Sequence, residues 1–538
     1  MYKFDCGCEI PILGDVKDND GLPSMEIKFD EYIRPDCPAT LELLASGRTK
    51  GVFQLETPLG QNWCAKLQPE HFEHISALIS LLRPGCLKAI TNGKSMTLHY
   101  VDRKHGREPV ETISPALLPI LESTYAVPVY QENSIQIAKK IAGFNLVEAD
   151  KLRKAIGSKD PEIMSSLKLK FIDGCKRVGL VTPEQAEEIF GWIKESQRYS
   201  FCHSHAIEYG IISYWTAYAK AHFPVHYLCS CLAYAKYGQD PKEEVAELVE
   251  DAKYFNIDVF PPSVKSLFTG DPGYYCVNKD QINFGIGDIS GVGPNHVVSF
   301  LDQVDLTEKI LGKPIDKWSW LEFLIYFSCN INKTVILGLI SSGFLSHMGY
   351  NRRELLYDYE TFIKLNPNEV ARLKDLKPTS LKDGINRLLP TIKHKGRLAK
   401  VTGIYETLIN PPHKLIDDSR FIANKERELL GTPITCQALD DCDKSGANTD
   451  CKNVDSVKNP AIAVEIISAR EYVIKKGKNM GKKMCYLTVK DDTCSINNVK
   501  IYSEKYGQYE NMLYDGNTVL LKCYKFDDGL VINEAIEI

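Results

Sequence analysis

Residues 124–159, TYAVPVYQENSIQIAKKIAGFNLVEADKLRKAIGSK, decide the fold of this part of the chain. Apolar residues recur at helical spacing over 135–142 and again over 146–156, which predicts two successive helices. Gly143 is expected to end the first helix and Gly157 the second. Asn145 and Glu148 have the spacing of a capping box at the start of the second helix. The stretch therefore predicts two short helices with firmly fixed ends.

Cations collect near the end of the second predicted helix. Lys151, Arg153 and Lys154 lie on its polar side, and Lys159 follows in the loop. Cations presented from such a rigid frame suit a phosphate ligand. Cations in a last helical turn also complement the helix dipole, so a solvated helix end is the alternative interpretation. The pattern alone leaves both open.

Composition sets the limits for the whole chain. A chain of 538 residues is too long for a single hydrophobic core, which predicts two to four domains. A net charge of −5 argues against indiscriminate nucleic-acid binding, so any DNA contact must come from local basic surface. No apolar run is long enough to span a bilayer and no leader is visible, which favours an intracellular protein without a membrane partner. The 17 scattered cysteines are then expected to be reduced thiols.

Several short segments around the opening stretch keep a common order. They are 51–56 (GVFQLE), 83–85 (RPG), 102–106 (DRKHG), 204–206 (SHA) and 212–218 (ISYWTAY). Together with residues 124–159 they resemble the fingers region of bacterial replicative DNA polymerase III alpha subunits, the C-family polymerases. The resemblance covers residues 38–365 and, more weakly, 420–538.

The resemblance implies a DNA-directed DNA polymerase acting in DNA replication, with an α-helical fingers domain over 40–237. It implies nucleotide binding by Lys151, Arg153, Lys154, Lys159, His203 and His205. It implies DNA binding by Arg83, Arg103 and Lys104. Cys202 and His203 stand where the family usually carries Asn-Lys, and Arg153-Lys154 replaces a commoner Arg-Arg. These departures predict weaker nucleotide affinity, or contacts with DNA instead of triphosphate.

Residues 238–365 are predicted to form a helical region with a helix–hairpin–helix motif. The segment 285–295 reads GIGDISGVGPN, and helices are expected on both sides of its Gly-Val-Gly turn. Gly291 and Gly293 would let backbone amides approach a DNA phosphate. A plain helical turn is the alternative.

In the last part of the chain the spacing of apolar residues changes from a helical to a strand-like pattern. Residues 366–459 are a connecting region whose polar, acidic stretch 440–458 is interpreted as a mobile linker. Residues 460–538 predict an OB-fold, with strands over 463–469, 483–489, 497–502, 518–526 and 530–533. Its first loop carries Lys475, Lys476 and Lys478, which either bind single-stranded DNA beside the aromatics Tyr472 and Tyr486 or only solubilise a hairpin.

Residues 1–39 remain unassigned. Cys6 and Cys8 form a Cys-x-Cys pair, but zinc needs two more ligands and no second pair lies nearby in sequence. The aspartates Asp15, Asp18 and Asp20 lack the terminal glutamate of a calcium loop and read as a polar turn. The spacing of Cys436, Cys442 and Cys451 fits no zinc pattern, so metal binding by either set of cysteines stays open.

Nucleotidyl transfer requires carboxylates that hold two Mg²⁺ ions about 4 Å apart. In the family these lie in a palm domain before the fingers, and Asp5 is the one residue here whose spacing suits such a carboxylate. The resemblance therefore implies that the palm aspartates lie on a partner chain and that the isolated chain is inactive.

The overall expectation is a multidomain protein, with mainly α-helical fingers and a helix–hairpin–helix region followed by a small all-β OB-fold barrel. Its partners are expected to be primer–template DNA, deoxynucleoside triphosphates and a palm-bearing chain, and a sliding clamp is a further candidate partner. The implied location is the cytoplasm of a bacterial or bacteriophage-infected cell. The alternative function is a non-catalytic DNA-binding accessory or relic protein.

Overall fold

The computed structural model describes residues 2–10, 34–88, 90–91, 93–158, 161–196, 200–268, 273–278, 280–475, 479–526 and 529–538. The chain divides into two compact units, Met1–Cys231 and Leu232–Ile538, and each is described by itself. Across the described residues, no helix combines the length and apolar character that crossing a membrane would require.

The first unit is built mainly from helices, joined by two-stranded ribbons of Tyr2–Lys3 with Glu9–Ile10 and Ile90–Thr91 with Lys94–Ser95. Its α-helices are Pro38–Ala45, Pro58–Leu67, Phe72–Leu81, Pro84–Lys88, Met96–Lys104, Leu118–Leu121, Gln131–Ala142, Leu146–Ser158, Pro161–Val178, Pro183–Ser196, His203–His222 and, crossing into the second unit, Pro224–Ala235. Short 3₁₀ turns cover Pro115–Leu117 and Glu122–Thr124.

The two helices predicted from the opening stretch are confirmed. Gly143 ends the first of them with a left-handed φ of 64°. The capping box is present, since the Glu148 amide donates to Asn145 Oδ1 at 2.9 Å and the Asn145 amide donates to Glu148 Oε2 at 3.0 Å. The second helix continues through Gly157 to Ser158, one residue beyond the predicted end, within the usual fraying of helix ends.

A dry core joins these helices to their neighbours. Ile137, Ile141, Leu152 and Phe171 are buried together in it. Gly174 permits the closest approach, because a Cβ there would lie 2.0 Å from the Ala142 carbonyl oxygen. The frame that presents the predicted cations is therefore fixed by packing as well as by its caps.

The second unit begins with helices and a small sheet. Its α-helices before the barrel are Pro241–Tyr254, Pro294–Leu311, Trp320–Glu322, Lys333–Ser341, Arg352–Phe362, Pro367–Leu376, Leu381–Leu388, Lys395–Ile409 and Ser419–Leu430. The strands Asp258–Phe260, Cys276–Asn278 and Gln281–Asn283 form a three-stranded sheet with the last strand in the middle. A π-helical turn spans Phe323–Phe327. Short 3₁₀ turns cover Val264–Phe268, Ile286–Asp288, Ile315–Lys317, Ser328–Asn330, Ser346–Met348, Leu389–Thr391, Val454–Ser456 and Glu510–Met512.

A closed five-stranded barrel completes the second unit. Its strands in chain order are Ala461–Val473, Lys483–Lys490, Ser495–Ile501, Thr518–Phe526 and Gly529–Glu537. The third strand pairs with the second antiparallel and with the fifth in parallel, and a helix, Ser503–Tyr509, separates the third and fourth strands. Five strands closed in this order are the OB arrangement, so the predicted fold class, helical regions followed by an OB-like barrel, is confirmed.

The interpretation of residues 440–458 as a mobile linker is wrong. Cys451 and Val454 are buried in the core of the barrel. The Cys451 amide donates to Asp491 Oδ2 at 2.6 Å, and the Ala461 amide donates to Asn448 Oδ1 at 2.8 Å. The segment lacks large apolar residues because small side chains and polar caps fasten it to the barrel.

Candidate nucleotide and DNA-binding sites

An isolated bridge between Tyr130 and Phe201 organises the candidate nucleotide site. The Gln131 amide donates to the Phe201 carbonyl oxygen at 2.9 Å, and Gln131 Nε2 donates to the Ser200 carbonyl oxygen at 3.2 Å. Gln131 begins one helix, and His203 begins the 20-residue helix that follows Phe201. The bridge therefore holds the amino ends of two helices side by side.

Predicted site residues gather around this bridge. The Arg83 guanidinium lies 4.4 Å from the centre of the Phe201 ring, a cation–π distance. The His205 ring lies 5.1 Å from the same ring, and the His203 ring lies 4.0 Å from that of Tyr130. We call Arg83, Arg153, Phe201, His203 and His205 the Phe201 cluster.

Arg153 joins the cluster through Gln131. Its Nη1 donates to Gln131 Oε1 at 3.3 Å, while its Nε donates to Asp150 Oδ1 at 2.9 Å. Lys154 Nζ contacts the other oxygen of Asp150 at 2.8 Å. Lys154 and Arg153 thereby hold the pKa of Asp150 below its ordinary value, so the carboxylate stays charged at neutral pH. Two cations share one carboxylate, which leaves an excess positive charge on this helix face.

The two remaining cations predicted at this site are Lys151 and Lys159. Lys151 is exposed on the helix, beside the buried Leu152. Lys159 lies outside the described residues.

A carboxylate sits at the start of the helix that carries both histidines. Glu132 Oε2 accepts the His203 amide at 2.9 Å, and Glu132 Oε1 lies 3.4 Å from the Cys202 sulfur. An acidic group at a helix amino end is favoured by the helix dipole. Here the Glu132 carboxylate accepts the hydrogen bond of the His203 amide, so this amide is not available to an anionic ligand.

Arg103 and Lys104, predicted to bind DNA, make contacts that support the fold, and their DNA-binding role stays a prediction. Arg103 Nε donates to Glu108 at 2.9 Å, and its Nη1 donates to the carbonyl oxygens of Tyr125 and Ala126 at 3.1 and 3.2 Å. The Lys104 side chain is 2% exposed, and its ammonium contacts Glu70 at 2.6 Å. Tyr125 and Ala126 both have left-handed φ angles, so Arg103 braces a tightly turned backbone.

The predicted helix–hairpin–helix turn has unequal flanks. A single 3₁₀ turn, Ile286–Asp288, precedes it, because a strand ends at Asn283, whereas the 18-residue Pro294–Leu311 helix follows. Gly291 is exposed with a φ of 87°, a conformation that favours glycine. The Gly293 amide donates to His296 Nδ1 at 3.3 Å within the turn.

A groove of about 570 Å³ lies beside this turn within the second unit. Lys236 and Lys242 line it together with Gly291. Lys242 Nζ donates to the Glu428 carbonyl oxygen at 2.9 Å, and Lys236 Nζ lies 4.7 Å from the centre of the Tyr274 ring. Asp240 and Asp288 also line the groove and balance its two lysines, so a nucleic-acid backbone would meet it mainly through the lysine side of the groove and the exposed glycine turn.

On the barrel, strand register places an aromatic residue between two cations. Tyr486 pairs with Arg470 on one neighbouring strand and with Lys500 on the other. All three face outward, because their strand neighbours Cys485 and Val499 are buried in the core. Lys475 is exposed at the first loop, whereas Lys476 and Lys478 lie outside the described residues.

Asp5, the candidate metal carboxylate, is exposed near the amino-terminal ribbon. Within the described residues, the groups of three or more His, Cys, Asp or Glu side chains that converge on one point comprise a single cysteine–histidine group. Asp5 is not part of it, and no carboxylate joins it.

Comparison with known proteins now bears on these sites. Residues 16–179 match the family described as the bacterial DNA polymerase III alpha subunit finger domain. This part of the chain is therefore similar to a bacterial polymerase III finger domain. Arg83 and Arg153 of the Phe201 cluster fall inside the matched residues, whereas Phe201, His203 and His205 lie beyond them.

Individual relatives extend the similarity beyond that domain. The DNA polymerase III subunit alpha of Aquifex aeolicus is 36% identical over 346 residues, which are 63% of this chain and 27% of the relative. That of Thermus aquaticus is 35% identical over 65% of this chain and 27% of the relative. That of Helicobacter pylori J99 is 28% identical over 93% of this chain and 39% of the relative. The chain thus spans between about a quarter and two fifths of the length of these relatives.

Sequence reasoning missed some of the residues that shape the site. The roles of Phe201 and Gln131 were not predicted, because their hydrogen bond joins positions 70 residues apart (201 − 131) and no local sequence pattern records it. Asp150 carried a usable signal, since it stands three and four residues before Arg153 and Lys154, the spacing of ion pairs on one helix face.

Proposed function

We propose that this chain supplies the fingers and DNA-binding modules of a replicative DNA polymerase. The Phe201 cluster carries the proposal, because it brings Arg83, Arg153 and two histidines together beside the adjoining amino ends of two helices. A polymerase must neutralise the triphosphate of an incoming nucleotide, and charge-assisted hydrogen bonds from arginine suit that task. Lys151 and Lys154 would add exposed charge on the same helix.

Catalysis also needs two Mg²⁺ ions held by carboxylates. The described residues bring no such carboxylates together, and Asp5 is exposed near the amino-terminal ribbon. We therefore place the palm aspartates on a partner chain. The fingers would orient the triphosphate while that partner would hold both metals, and the assembly would act on primer–template DNA in the cytoplasm.

The barrel would bind single-stranded template. A base can stack on Tyr486 while Arg470 and Lys500 on the flanking strands contact phosphates. The basic first loop with Lys475 would extend this surface. The groove beside Gly291 would contact the duplex backbone without reading its sequence.

Reconstitution tests the proposal directly. The purified 538-residue chain should bind primer–template but not extend it with Mg²⁺ and deoxynucleotides. Addition of a palm-bearing chain from the same host should restore extension, and a palm chain with its aspartates changed to asparagine should not. Robust extension by this chain alone, abolished by Asp5→Ala, would place the active site here and overturn the division of labour.

The alternative is a non-catalytic DNA-binding protein. The outward-facing Arg470, Tyr486 and Lys500 favour it as much as they favour a polymerase, since DNA binding by these residues needs no palm. It predicts salt-dependent binding of single strands, while nucleotide affinity stays unmeasurable with every palm chain tried. Replacing Arg470 and Lys500 with alanine should then flatten the dependence of log K on log salt by about 1.4 units for two phosphate contacts on a single strand.

A further inference from the structure

The amino-terminal ribbon brings two cysteines to a helix end. Its strands Tyr2–Lys3 and Glu9–Ile10 are joined by a turn in which the Phe4 amide donates to the Cys8 carbonyl oxygen at 2.9 Å. Gly7, between the two cysteines, has a φ of 84°. The turn therefore points Cys6 and Cys8 to the same side, as a chelating loop requires.

Two further side chains meet them from distant parts of the first unit. Cys37 immediately precedes the Pro38–Ala45 helix, and His222 is the last residue of the His203–His222 helix. The sulfur and nitrogen atoms of Cys6, Cys8, Cys37 and His222 all lie within 4.8 Å of one another. The second pair of ligands that the sequence lacked near Cys6 is thus supplied by the fold.

The distances suit one tetrahedral ion. Zinc bonds of about 2.3 Å to sulfur and about 2.0 Å to nitrogen place tetrahedral ligand atoms about 3.8 Å apart for two sulfurs and about 3.5 Å apart for sulfur and nitrogen. Cys6 Sγ lies 3.8 Å from Cys37 Sγ and 3.8 Å from His222 Nε2, and Cys37 Sγ lies 3.2 Å from His222 Nε2. All seventeen cysteines of the chain are free thiols, so no disulfide competes for these sulfurs.

The surroundings are those of a closed structural site. Cys37 is fully buried and Cys8 is 3% exposed. Phe4 and Tyr218 flank the His222 imidazole, with ring centres 4.3 and 4.2 Å away. The Tyr218 hydroxyl is buried and has no hydrogen-bond partner among the described residues. A metal-bound thiolate beside it would be the acceptor that this hydroxyl lacks, the usual role of a group next to a metal ligand.

We propose that Cys6, Cys8, Cys37 and His222 bind one Zn²⁺ ion. Three sulfurs and one imidazole form a complete four-coordinate set, with no position left for water or substrate, so the ion is structural. It fastens the ribbon that carries Asp5 to the carboxyl end of the long helix, roughly 30 Å from the histidines at its amino end. The ion thus sets the position of the amino-terminal segment on the finger domain, independently of the proposed function.

Metal analysis of the full chain tests the site. Protein purified from zinc-supplemented medium under reducing conditions should contain about one zinc per chain, and cobalt substitution should give the visible absorption of tetrahedral thiolate coordination. Cys37→Ser and His222→Ala should each lower zinc affinity by more than about a hundredfold, beyond the effect of losing a supporting group. Cys64→Ser, an equally buried cysteine outside the group, should keep full occupancy, and so should His222→Cys, which preserves four ligands.

Wild-type protein alone is sufficient to overturn the proposal if the ligand variants do not fold. Zinc should protect Cys6, Cys8 and Cys37 from alkylation in the native chain, and a chelator should expose them together. Reduced wild-type protein that neither contains zinc nor takes it up, or that shows equal alkylation of these cysteines with and without zinc, would reject the site. A Cys6–Cys37 disulfide in protein kept under reducing conditions would reject it as well.

Discussion

Two arginine–carboxylate ion pairs in this chain have similar geometry but different surroundings. In the second unit, Arg352 Nη2 lies 2.8 Å from Glu426, and their side chains are 10% and 0% exposed. In the finger domain, Arg153 Nε lies 2.9 Å from Asp150, and their side chains are 30% and 37% exposed. The distances are nearly equal, so the difference lies in burial and in the other partners of each charge.

The buried pair is saturated. Glu426 also accepts the amides of Ile434 and Thr435 at 2.7 and 2.8 Å. Arg352 Nη1 donates to the Ser341 carbonyl oxygen at 2.9 Å. The guanidinium therefore has nothing to offer a ligand.

The exposed pair is unsaturated. Asp150 serves both Arg153 and Lys154, and the second contact of Arg153, to Gln131, is long at 3.3 Å. Water and salt screen such surface pairs, so a phosphate can replace the carboxylate at little cost. Burial and further hydrogen bonds thus commit the Arg352 guanidinium to the fold, whereas the exposed Arg153 keeps the capacity to bind an anion.

The largest expected effect comes from breaking the saturated pair. Glu426→Ala leaves Arg352 as a buried charge without its counter-ion and removes the acceptor of the Ile434 and Thr435 amides, so the free energy of unfolding should fall by about 3–5 kcal/mol. Urea unfolding followed by circular dichroism measures this. Glu428→Ala on the same helix removes only the exposed pair with Lys425 and should stay within about 0.5 kcal/mol of wild type. Equal losses in both variants would remove the distinction between the two kinds of pair.

The unsaturated pair should affect ligand binding instead. Arg153→Ala combined with Lys154→Ala should lower nucleotide affinity of the reconstituted enzyme at least about tenfold, since each charge-assisted phosphate contact is worth about 1.5–3 kcal/mol. DNA affinity should change much less. The KM for deoxynucleotide and a DNA-binding titration separate the two effects. Lys168→Ala, an exposed lysine paired with Glu187 in the same domain, is the matched control, and nucleotide kinetics equal to this control would rule out the role.

Much of the architecture could be predicted, because it follows local rules. The glycine end at Gly143 and the Asn145–Glu148 capping box depend on neighbours within a few residues. The barrel strands follow from a period of two along each strand. The Cys-x-Cys spacing of Cys6 and Cys8 was equally visible in the sequence, although the turn that carries it was not predicted.

The roles of individual cations could not be predicted in the same way. Arg103 looks like a surface cation in sequence, but its partners include carbonyl oxygens 22 and 23 residues further along the chain. The convergence of Cys6 and Cys37 on His222 spans more than two hundred residues, 216 from Cys6 to His222. Such contacts are made by tertiary packing, and one sequence carries no pattern that records them.

A third carboxylate, Asp358, is intermediate between Glu426 and Asp150 in its burial. Asp358 accepts one hydrogen bond, from Trp320 Nε1 at 3.1 Å, and burial raises its pKa from 3.8 to about 6. Because the folded pKa is the higher one, stability is full below the unfolded value and falls as pH rises from about 4 to about 6. Asp358→Asn should abolish this dependence and raise stability at pH 7 by about 1–2 kcal/mol, a value reduced for partial solvent screening.

Urea unfolding at pH 4.5 and pH 7 measures the Asp358 effect. Asp383→Asn is the control of opposite sign, because the Thr379 amide and Arg387 hold the pKa of Asp383 below its ordinary value. That variant should gain nothing at pH 7. A stability of Asp358→Asn that falls with pH as steeply as wild type would show that another group titrates in this range.

The smallest expected effect tests whether Asp150 competes with a nucleotide for its two cations. Asp150→Asn keeps the shape of the side chain and removes its charge, so Arg153 and Lys154 become fully available and nucleotide affinity should rise by up to about fivefold, the size of a surface ion pair. Because those cations keep the pKa of Asp150 low, the wild-type carboxylate is ionised throughout the neutral range and the gain should not vary with pH there. The gain should shrink as salt is added. It should also vanish in the Arg153→Ala, Lys154→Ala background, which a double-mutant cycle measures. A loss of nucleotide affinity in Asp150→Asn would mean that the Asp150 carboxylate orients the Arg153 guanidinium toward the phosphates. The exposed pair would then have a structural role, as the buried Arg352–Glu426 pair does.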